Sequence, residues 1–251
     1  MLKLENTEVF GWEAAIRGMR NPMNSWNKSD SRWGCVPGHT YPTCGEDCRY
    51  ECEYIIGEND LKLMKSLSKA GNDHAKFLRM INVTVDITAP FYWWKEFDTY
   101  KVGTVANSCS TMHKIHEKEL TLEDFSHEHL TGETDGLWVN ADGRDFMCSA
   151  LDFCQITCDV LNHYRELYLK TKYKKYWLQM IQLLPSSYNQ KRTVQFNYQV
   201  LKSMYFARKD HKLDEWHILC DWMLNLPYFK EVCVQEYTHP NCGARMSKEE
   251  E

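Results

Sequence analysis

The sequence lacks the features that mark membrane proteins and most nucleic-acid-binding proteins. No charge-free apolar run approaches the roughly 20 residues that a membrane-spanning helix needs. The chain carries 30 Lys and Arg against 35 Asp and Glu, a formal net charge of −5. This balance provides no basic excess with which to follow a phosphodiester backbone. We therefore expect no membrane insertion and no nucleic-acid partner, whereas small anionic ligands remain possible.

The sequence also lacks the short motifs of common enzyme classes and of exported proteins. It contains no P-loop, no GxGxxG after a strand, no GxSxG and no HExxH. The opening residues, MLKLENTEVF, carry early charges and no apolar core of a signal peptide, so we expect a cytoplasmic protein. No internal repeat divides the 251 residues, of which 43% are apolar, and we expect one domain with one substantial core.

Cysteine, in contrast, is abundant, with 11 residues that we expect to be reduced thiols in a cytoplasmic chain. Four of them lie in a segment rich in Gly, Pro and charge: Cys35, Cys44, Cys48 and Cys52. Thiolates bind zinc, but structural sites normally use pairs two residues apart, whereas CxxxC steps fit one face of a helix. We predict no metal site there, and a metal-stapled interaction protein remains an alternative.

The other candidate metal ligands and nucleophiles favour ordinary roles. Cys154 and Cys158 lie four residues apart in an apolar stripe and are expected to be buried thiols. Cys109 has no His or Asp linked to it by spacing, so a buried thiol is favoured over a nucleophile. Four histidines flank an acidic stretch and are expected to lie in a solvated loop: His113, His116, His127 and His129.

Hydrophobic periodicity predicts an α+β fold. Alternating apolar residues predict strands at about 2–9, 81–88, 102–107 and 191–198. Helical spacing predicts helices at about 12–19, from an Asn59 N-cap to 70, and from Pro90 through FYWWKEFDTYK. Over 146–184 it predicts one broken or two consecutive helices. Trp93 and Trp94 are expected to pack in the core, although either could stack on a flat ring. Residues 131–145 are expected to form a loop. We divide the chain into a domain at about 1–230, with an irregular Cys-rich insertion at about 23–58, and a tail at 231–251.

The segment 183–218 is the strongest candidate for a ligand site, because a strand there leads directly into a helix. Asn197 lies at the junction, and the spacing of the helix places Arg208 on the same face as Leu201. Free backbone N–H groups and the positive end of a helix dipole suit a phosphate or the carbonyl edge of a ring. The alternative is that Asn197 caps the helix and Arg208 is an ordinary surface residue.

In the order and spacing of several residues, the chain resembles the flavin-dependent thymidylate synthases (ThyX). In that family a Leu-Pro precedes a strand, an Asn lies twelve residues after the Pro, and an Arg follows eleven residues after the Asn. The matching positions here are Pro185, Asn197 and Arg208, together with His74, the Ala89-Pro90 pair and Arg17 of GWEAAIR. The resemblance covers about residues 9–20 and 60–225.

The chain departs from the family's pattern in the other half of its motifs. The family's Arg-His-Arg triplet becomes Thr99, Tyr100 and Lys101, and the Ser that follows it becomes Cys109. Further family positions are replaced by Asn107, Thr111, Met80 and Ile181. Several cationic and hydrogen-bonding groups are thereby absent, and Lys101 supplies a charge without the fork of an arginine. The chain is therefore expected to be a divergent member.

The resemblance implies a single-domain fold with a central mixed or antiparallel sheet flanked by helices, and a flavin-dependent methylation at C5 of a uracil nucleotide. It implies FAD as cofactor, dUMP or a related pyrimidine nucleotide and methylenetetrahydrofolate as substrates, and a homotetramer with sites shared between subunits. It assigns His74, Asn197, Tyr100 and Lys101 to the flavin, Arg208, Asn107 and Cys109 to the nucleotide, and Arg208, Cys109 and Lys101 to catalysis. A non-catalytic nucleotide-binding or assembly protein of the same fold remains an alternative.

Overall fold

The computed structural model describes residues 2–35 and 52–234. The strands are Lys3–Phe10 (β1), Arg32–Cys35 (β2), Cys52–Ile55 (β3), Asn82–Pro90 (β4), Val105–Ser108 (β5), Trp138–Ala141 (β6), Arg144–Met147 (β7) and Asn189–Asn197 (β8). The α-helices are Trp12–Arg20 (α1), Glu58–Lys69 (α2), Phe91–Phe97 (α3), Thr111–Lys114 (α4), Ala150–Thr171 (α5), Lys174–Leu183 (α6), Tyr198–Arg208 (α7), Asp214–Leu224 (α8) and Phe229–Cys233 (α9). In this part of the chain, none of the helices combines the length and the apolar character needed to cross a membrane.

The described residues divide into two compact units. The first contains the described parts of Met1–Glu8, Val83–Phe196 and Lys209–Leu219, and the second those of Val9–Asn82, Asn197–Arg208 and Cys220–Glu251. The combination of helices with a sheet confirms the predicted α+β class. The predicted boundary between a domain at 1–230 and a tail at 231–251 stays a prediction.

Four strands form the main sheet, in the order β1-β4-β8-β5. β5 pairs antiparallel with β8, with Val105 opposite Gln195 and Ser108 opposite Arg192. The predicted alternation in β4 is confirmed, since its fully buried residues are Val83, Val85, Ile87 and Ala89. One buried face and one polar face fix the register of a strand, because a slip of one residue would exchange the two faces.

Aromatic side chains of α3 pack in the core of the first unit. Trp93 and Trp94 are 0% and 1% exposed. The ring of Phe97 lies 6.4 Å from that of Phe196 on β8, and Trp216 packs against Trp93 at 4.9 Å. The prediction that both tryptophans are packing residues is confirmed, and rings buried this fully offer no face to a ligand.

Two segments that were predicted to be irregular contain paired antiparallel strands, so the prediction is wrong at those strands. Within 23–58, β2 pairs antiparallel with β3 from Arg32 opposite Ile55 to Cys35 opposite Cys52. Around 131–145, β6 pairs antiparallel with β7 through a turn in which Asp142 and Gly143 have φ of 51° and 74°. An Asp-Gly pair with two positive φ values is a favoured hairpin turn, so the local signal was present.

The predicted helical region 146–184 consists of two helices. α5 begins at Ala150 because Ser149 and Asp152 cap it reciprocally, each side chain accepting a hydrogen bond from the other residue's N–H at 3.0 Å. Lys172 ends α5 with a φ of 57°. An apolar cluster lies under both helices and contains Ile115, Leu120, Phe125, Cys154, Cys158, Leu161 and Met180.

The structure tests the predictions for some of the cysteines and not for others. Cys154 and Cys158 are buried as predicted, and burial raises the pKa of the Cys158 thiol to about 11. Cys44 and Cys48 lie outside the described residues. Across 2–35 and 52–234, no group of three or more His, Cys, Asp or Glu side chains is arranged to hold a metal ion.

In the second unit, α1 begins after a glycine whose position requires the absence of a side chain. Gly11 has a φ of 94°, and a Cβ there would lie 2.1 Å from the carbonyl oxygen of Met80. Trp12 then packs edge-on against Tyr198 with the ring centroids 5.4 Å apart. The start of α1 is thus fixed by a backbone contact and by a buried aromatic pair.

A buried ion pair links α1 and α2. Arg20 and Asp60 are 4% and 0% exposed, and Arg20 Nε donates to the Asp60 carboxylate at 2.6 Å. The second carboxylate oxygen accepts from the hydroxyls of Ser29 and Ser31, each at 2.7 Å, and from the Asp30 and Ser31 N–H groups. Burial opposes ionisation, but the hydrogen bonds from Ser31, Ser29 and Arg20 outweigh it and lower the pKa of Asp60.

The prediction that Asn59 caps the N-terminus of α2 is wrong. The helix begins at Glu58, and Asn59 is not its N-cap. The Asp30 carboxylate instead accepts from the N–H groups of Asn59 and Asp60 at 3.0 and 3.1 Å. Because this capping carboxylate comes from a distant part of the chain, no local pattern announces it.

Candidate functional site

A cavity of about 370 Å³ lies in the first unit, at the point where β5 ends. Its lining combines hydroxyl, thiol and amide groups with apolar side chains: Phe91, Ser108, Cys109, Ser110, Thr111, Met112, Ile181, Leu184 and Gln190. A second space of about 460 Å³ shares Cys109, Ser110, Thr111 and Gln190 with it. We call the two together the Cys109 cavity. Apolar walls with a few polar groups are typical of sites for small organic ligands.

The segment 109–111 is held in place by the neighbouring strand β8. The Cys109 N–H donates to the Lys191 carbonyl at 2.9 Å. Gln190 Nε2 donates to the Cys109 carbonyl at 3.0 Å and to Thr111 Oγ1 at 3.1 Å. Ser110 then caps α4, its hydroxyl accepting from the His113 N–H at 3.3 Å. The polar wall of the cavity is therefore positioned mainly by one glutamine side chain.

Gln190 is in turn oriented by a well-packed arginine. Arg192 Nε donates to Gln190 Oε1 at 2.9 Å, and Arg192 Nη1 contacts the Asp98 carboxylate at 2.7 Å. The guanidinium lies over the Trp94 ring, 4.1 Å from its centroid, in a cation–π contact. Trp94 Nε1 completes the arrangement by donating to the Gln190 carbonyl at 3.0 Å. These contacts fix which end of the Gln190 amide faces the cavity.

Cys109 is exposed, which corrects the prediction of a buried thiol. The reason is its position one residue beyond β5, where the burial pattern of the edge strand has all four residues exposed. The thiol therefore faces the cavity and solvent, and the cavity is the place where its chemistry would be used.

The lining of the second space carries charges of both signs. Three lysines and three carboxylates line it: Lys114, Lys118, Lys191, Glu117, Glu123 and Asp124. Lys114 contacts Glu117, and Lys118 contacts Asp124. The Lys114–Glu117 pair is exposed and is separated easily by solvent, so Lys114 can exchange its carboxylate for an anionic ligand at little cost. Asp124 is only 13% exposed, and its pair with Lys118 is separated less easily.

Lys191 belongs to a polar cluster on the exposed face of the sheet. Its ammonium lies 3.1 Å from the Asp86 carboxylate and 3.4 Å from that of Glu5. Asp86 also accepts from Thr193 at 2.7 Å and from Asn6 at 3.0 Å. The hydrogen bonds from Thr193, Asn6 and Lys191 lower the pKa of Asp86 to about 2, and the Asp86 hydrogen bond raises that of Lys191. Both groups therefore stay charged across the physiological range.

Four of the residues assigned to the site lie in the first unit. Asn107 is exposed on β5 opposite Thr193, two residues before Cys109. Lys101 is exposed in the turn between α3 and β5, and the half-buried ring of Tyr100 packs 6.1 Å from Trp216. Of the four, Cys109 lines the cavity just described, whereas Tyr100, Lys101 and Asn107 do not.

The remaining three, His74, Asn197 and Arg208, lie in the second unit. Asn197 Oδ1 accepts from the Val200 N–H at 3.1 Å, which is the N-cap contact considered as its alternative role. Arg208 is the last residue of α7 and is half-buried, and His74 is exposed.

The end of α2 and the loop that carries His74 are both joined to the first turns of α7. Gln199 Nε2 donates to Asn72 Oδ1 at 3.3 Å. Lys202 Nζ donates to the carbonyl and the hydroxyl of Ser68 at 3.1 and 2.8 Å, and burial lowers the pKa of this lysine. The second unit thus places the neighbourhood of His74 beside the helix that begins after Asn197.

Sequence reasoning missed Gln190 and Arg192. Both continue, at two-residue spacing, the series of the buried residues Val194 and Phe196 on β8. Polar side chains on the same strand face as a buried apolar series are unusual. The two polar residues on this face were the available signal, because a polar side chain on a buried face needs a hydrogen-bonding partner in the interior. Here those hydrogen bonds position the wall of the Cys109 cavity.

The fold is similar to that of solved flavin-dependent thymidylate synthases. Thymidylate synthase X from Helicobacter pylori, solved with FAD and dUMP, matches with a TM-score of 0.60 and 16% identity, over 93% of this chain and 97% of that one. A second structure of the Helicobacter pylori enzyme with FAD and dUMP gives 0.59 and 15%, over 92% and 97%. A UMP/dUMP methylase, PolB from Streptomyces cacaoi bound with 5-Br UMP, gives a TM-score of 0.49 and 14% identity, over 89% of this chain and 86% of that one.

No protein-family model matches the sequence, and no curated protein sequence is significantly similar to it. The likeness at 15–16% identity therefore defines the fold alone. The chain has a ThyX-like α+β fold that extends over nearly its whole length and nearly the whole of the Helicobacter pylori chain. This confirms the predicted fold class.

Proposed function

We propose that the protein is a ThyX-like flavoprotein that methylates C5 of a uracil nucleotide, dUMP or a related pyrimidine nucleotide, using methylenetetrahydrofolate and reduced FAD. The observation that carries the proposal is the ThyX-like fold over 93% of the chain, with an exposed cysteine in a cavity at the position where the sequence motif expects a serine. Folds host many functions, so the proposal depends on the site as well.

The Cys109 cavity has the chemistry that a pyrimidine nucleotide requires. Phe91 and Leu184 supply apolar surface for the face of a ring, and the hydroxyls of Ser110 and Thr111 supply groups for its polar edge. Lys114, whose carboxylate partner is exposed, would supply positive charge for a phosphate. In the proposal, Cys109 occupies the place of the family's serine and faces the reacting ring without forming a covalent bond to it.

The residues assigned to FAD fit the group in their hydrogen-bonding capacity. The Asn197 amide oxygen is used as a helix cap, which leaves its nitrogen as a donor. His74 and Lys101 are exposed and offer an imidazole and an ammonium. Such donors suit the carbonyl edge of a flavin ring and its phosphates. When bound, the flavin would supply the electrons of the reaction.

Arg208 and Lys101 are the cationic residues that the resemblance assigns to the proposed site. Arg208 would contact the nucleotide, since a guanidinium can bind a phosphate or a carbonyl edge through two parallel hydrogen bonds. Lys101 would replace part of the charge of the missing Arg-His-Arg triplet. Tyr100 would contact the flavin and Asn107 the nucleotide, as the resemblance implies.

A homotetramer with sites shared between subunits belongs to the same proposal. Helix α5 exposes Phe153, Ile156 and Val160, which are 59%, 41% and 38% exposed. Their spacing places them on one face of the helix. An exposed apolar stripe of this kind supports association with a second protein surface.

Binding of FAD and dUMP tests the proposal. Purified protein is expected to carry flavin or to take it up, as followed by its visible absorbance, and then to bind dUMP. Replacing Arg208 by Ala should weaken dUMP binding much more than it lowers the free energy of unfolding. Equal losses in both would instead show that Arg208 is a packing residue.

Turnover is tested separately by the release of deuterium from C5-labelled dUMP in the presence of methylenetetrahydrofolate, FAD and a reductant. The missing triplet is the observation that favours a second candidate, a non-catalytic nucleotide-binding protein of the same fold. That candidate predicts dUMP binding with no deuterium release.

A further inference from the structure

A long basic segment is concealed by the net negative charge of the chain. Residues 167–209 contain nine Lys or Arg and no Asp or Glu, so this segment carries a net charge of +9. The rest of the chain carries −14, which gives the total of −5. Four of the nine lie in six residues at the junction of α5 and α6, namely Lys170, Lys172, Lys174 and Lys175. All four are exposed, and none forms an ion pair with any residue in 2–35 or 52–234.

Tyrosine rings lie among these ammonium groups. The Tyr176 ring is stacked with those of Tyr173 and Tyr164, at centroid distances of 6.5 and 6.4 Å and interplanar angles of 21° and 27°. Lys175 Nζ lies 4.7 Å from the Tyr176 centroid, and Tyr173 is 62% exposed. We call these three rings and the four lysines the Lys–Tyr surface.

The Lys–Tyr surface is fixed by hydrogen bonds at the helix junction. The Lys172 N–H donates to the Tyr168 carbonyl at 2.8 Å, and the Tyr173 N–H donates to Thr171 Oγ1 at 3.3 Å. On α6, Trp177 Nε1 donates to the Met112 carbonyl at 2.9 Å. A junction held in this way fixes the backbone from which these side chains project, which reduces the entropy lost when a partner binds.

We propose that the Lys–Tyr surface binds single-stranded nucleic acid. Such binding combines cations that neutralise phosphates with aromatic faces on which bases stack, and stacking contributes about 1–3 kcal/mol per base. An acidic polypeptide could pair with the four lysines, but it would make no use of the exposed Tyr173 ring. Duplex DNA keeps its bases stacked on each other and would likewise leave the ring unused. The proposal departs from the expectation of no nucleic-acid partner, which considered the total charge of the chain.

The test is fluorescence anisotropy of the full chain with a labelled single strand of about 16 nucleotides, titrated at several salt concentrations. Four neutralised phosphates predict that log K falls against log salt with a slope of roughly −3, at about −0.7 per phosphate. Replacing Lys174 and Lys175 together by Ala should bring the slope to about half that value. Lys172 is left unchanged in the test because its φ of 57° contributes to the helix junction.

A matched pair of lysines controls for net charge. Lys62→Ala with Lys69→Ala removes two exposed charges from α2 and should leave both affinity and slope unchanged. Tyr173→Ala should weaken binding about tenfold, within the range of one lost stacking contact, without changing the slope. Thermal unfolding of each variant shows that the fold is retained.

Four results would overturn the proposal. One is the absence of binding at low salt. The second is a Tyr173→Ala protein that binds as well as the unchanged chain. The third is a control pair that weakens binding as much as Lys174→Ala with Lys175→Ala. The fourth is equal affinity for the single strand, for a duplex and for polyglutamate, which would show a surface that recognises charge alone. None of these outcomes depends on whether the protein binds FAD or dUMP.

Discussion

Replacement of Gln190 by Leu tests the account of the Cys109 cavity most sharply. The substitution keeps the approximate volume of the side chain and removes three hydrogen bonds, to the Cys109 carbonyl, to Thr111 Oγ1 and from Arg192 Nε. A typical hydrogen bond contributes about 1 kcal/mol net, and water can replace part of this at a half-buried residue. We therefore expect the free energy of unfolding to fall by about 2 kcal/mol, which corresponds to roughly 4–8 °C in melting temperature.

Gln195 provides the matched control, since it lies on the same strand, is exposed, and donates or accepts no side-chain hydrogen bond within the described residues. Gln195→Leu should change the free energy of unfolding by less than about 0.5 kcal/mol. Gln190→Glu keeps the acceptor for Arg192 but loses both donors, so its cost should fall between those of the two leucine variants. Urea unfolding measures all three.

The reasoning about Gln190 would be refuted by a Gln190→Leu protein as stable as the unchanged chain, or by equal losses in the Gln190 and Gln195 variants. Either result would mean that segment 109–111 is held by its backbone contacts alone.

Three further predictions concern the stability and the thiols of the protein. Arg20→Met leaves the Asp60 carboxylate buried without its cation and should cost about 3–5 kcal/mol in urea unfolding, whereas a cost below about 1 kcal/mol would contradict the buried pair. Because the folded pKa of Asp60 is lowered, its stabilisation is present above about pH 4 and is lost as the pH falls through that lowered pKa, so acid should reduce the difference between Arg20→Met and the unchanged chain. A thiol reagent should modify the exposed Cys109 in the folded protein and reach Cys158, whose pKa is raised to about 11, only on unfolding; equal rates would contradict the assigned burial. Gly11→Ala places a Cβ against a backbone carbonyl at positive φ and should destabilise the protein by more than about 1 kcal/mol in the same urea assay. A neutral outcome is what an unstrained glycine would give, and it would contradict the close contact.

The elements that were predicted correctly are those whose burial follows a simple period. β4 alternates four fully buried residues with polar ones, and α1 and α5 carry apolar stripes on one face. The burial of Trp93 and Trp94 follows from their size and from their place in a short helix between two strands. In these segments, local spacing and tertiary packing favour the same structure.

The features that escaped prediction depend on contacts between distant parts of the chain. Asp30 caps α2 from a separate segment, and β2 pairs with β3 across 36–51, which lie outside the described residues. The exposure of Cys109 follows from the position of β5 at the edge of the sheet, which no local pattern reveals. Gln190 and Arg192 are held at the site by hydrogen bonds to Trp94 and Asp98, respectively. These partners precede them in the sequence by more than 90 positions.

The visible absorbance spectrum of the purified protein, before and after addition of FAD, tests the central claim most directly. The account predicts the absorbance bands of bound flavin, either on purification or after added FAD has been removed by gel filtration, together with a change in those bands when dUMP binds. A colourless protein that retains no added FAD would contradict it.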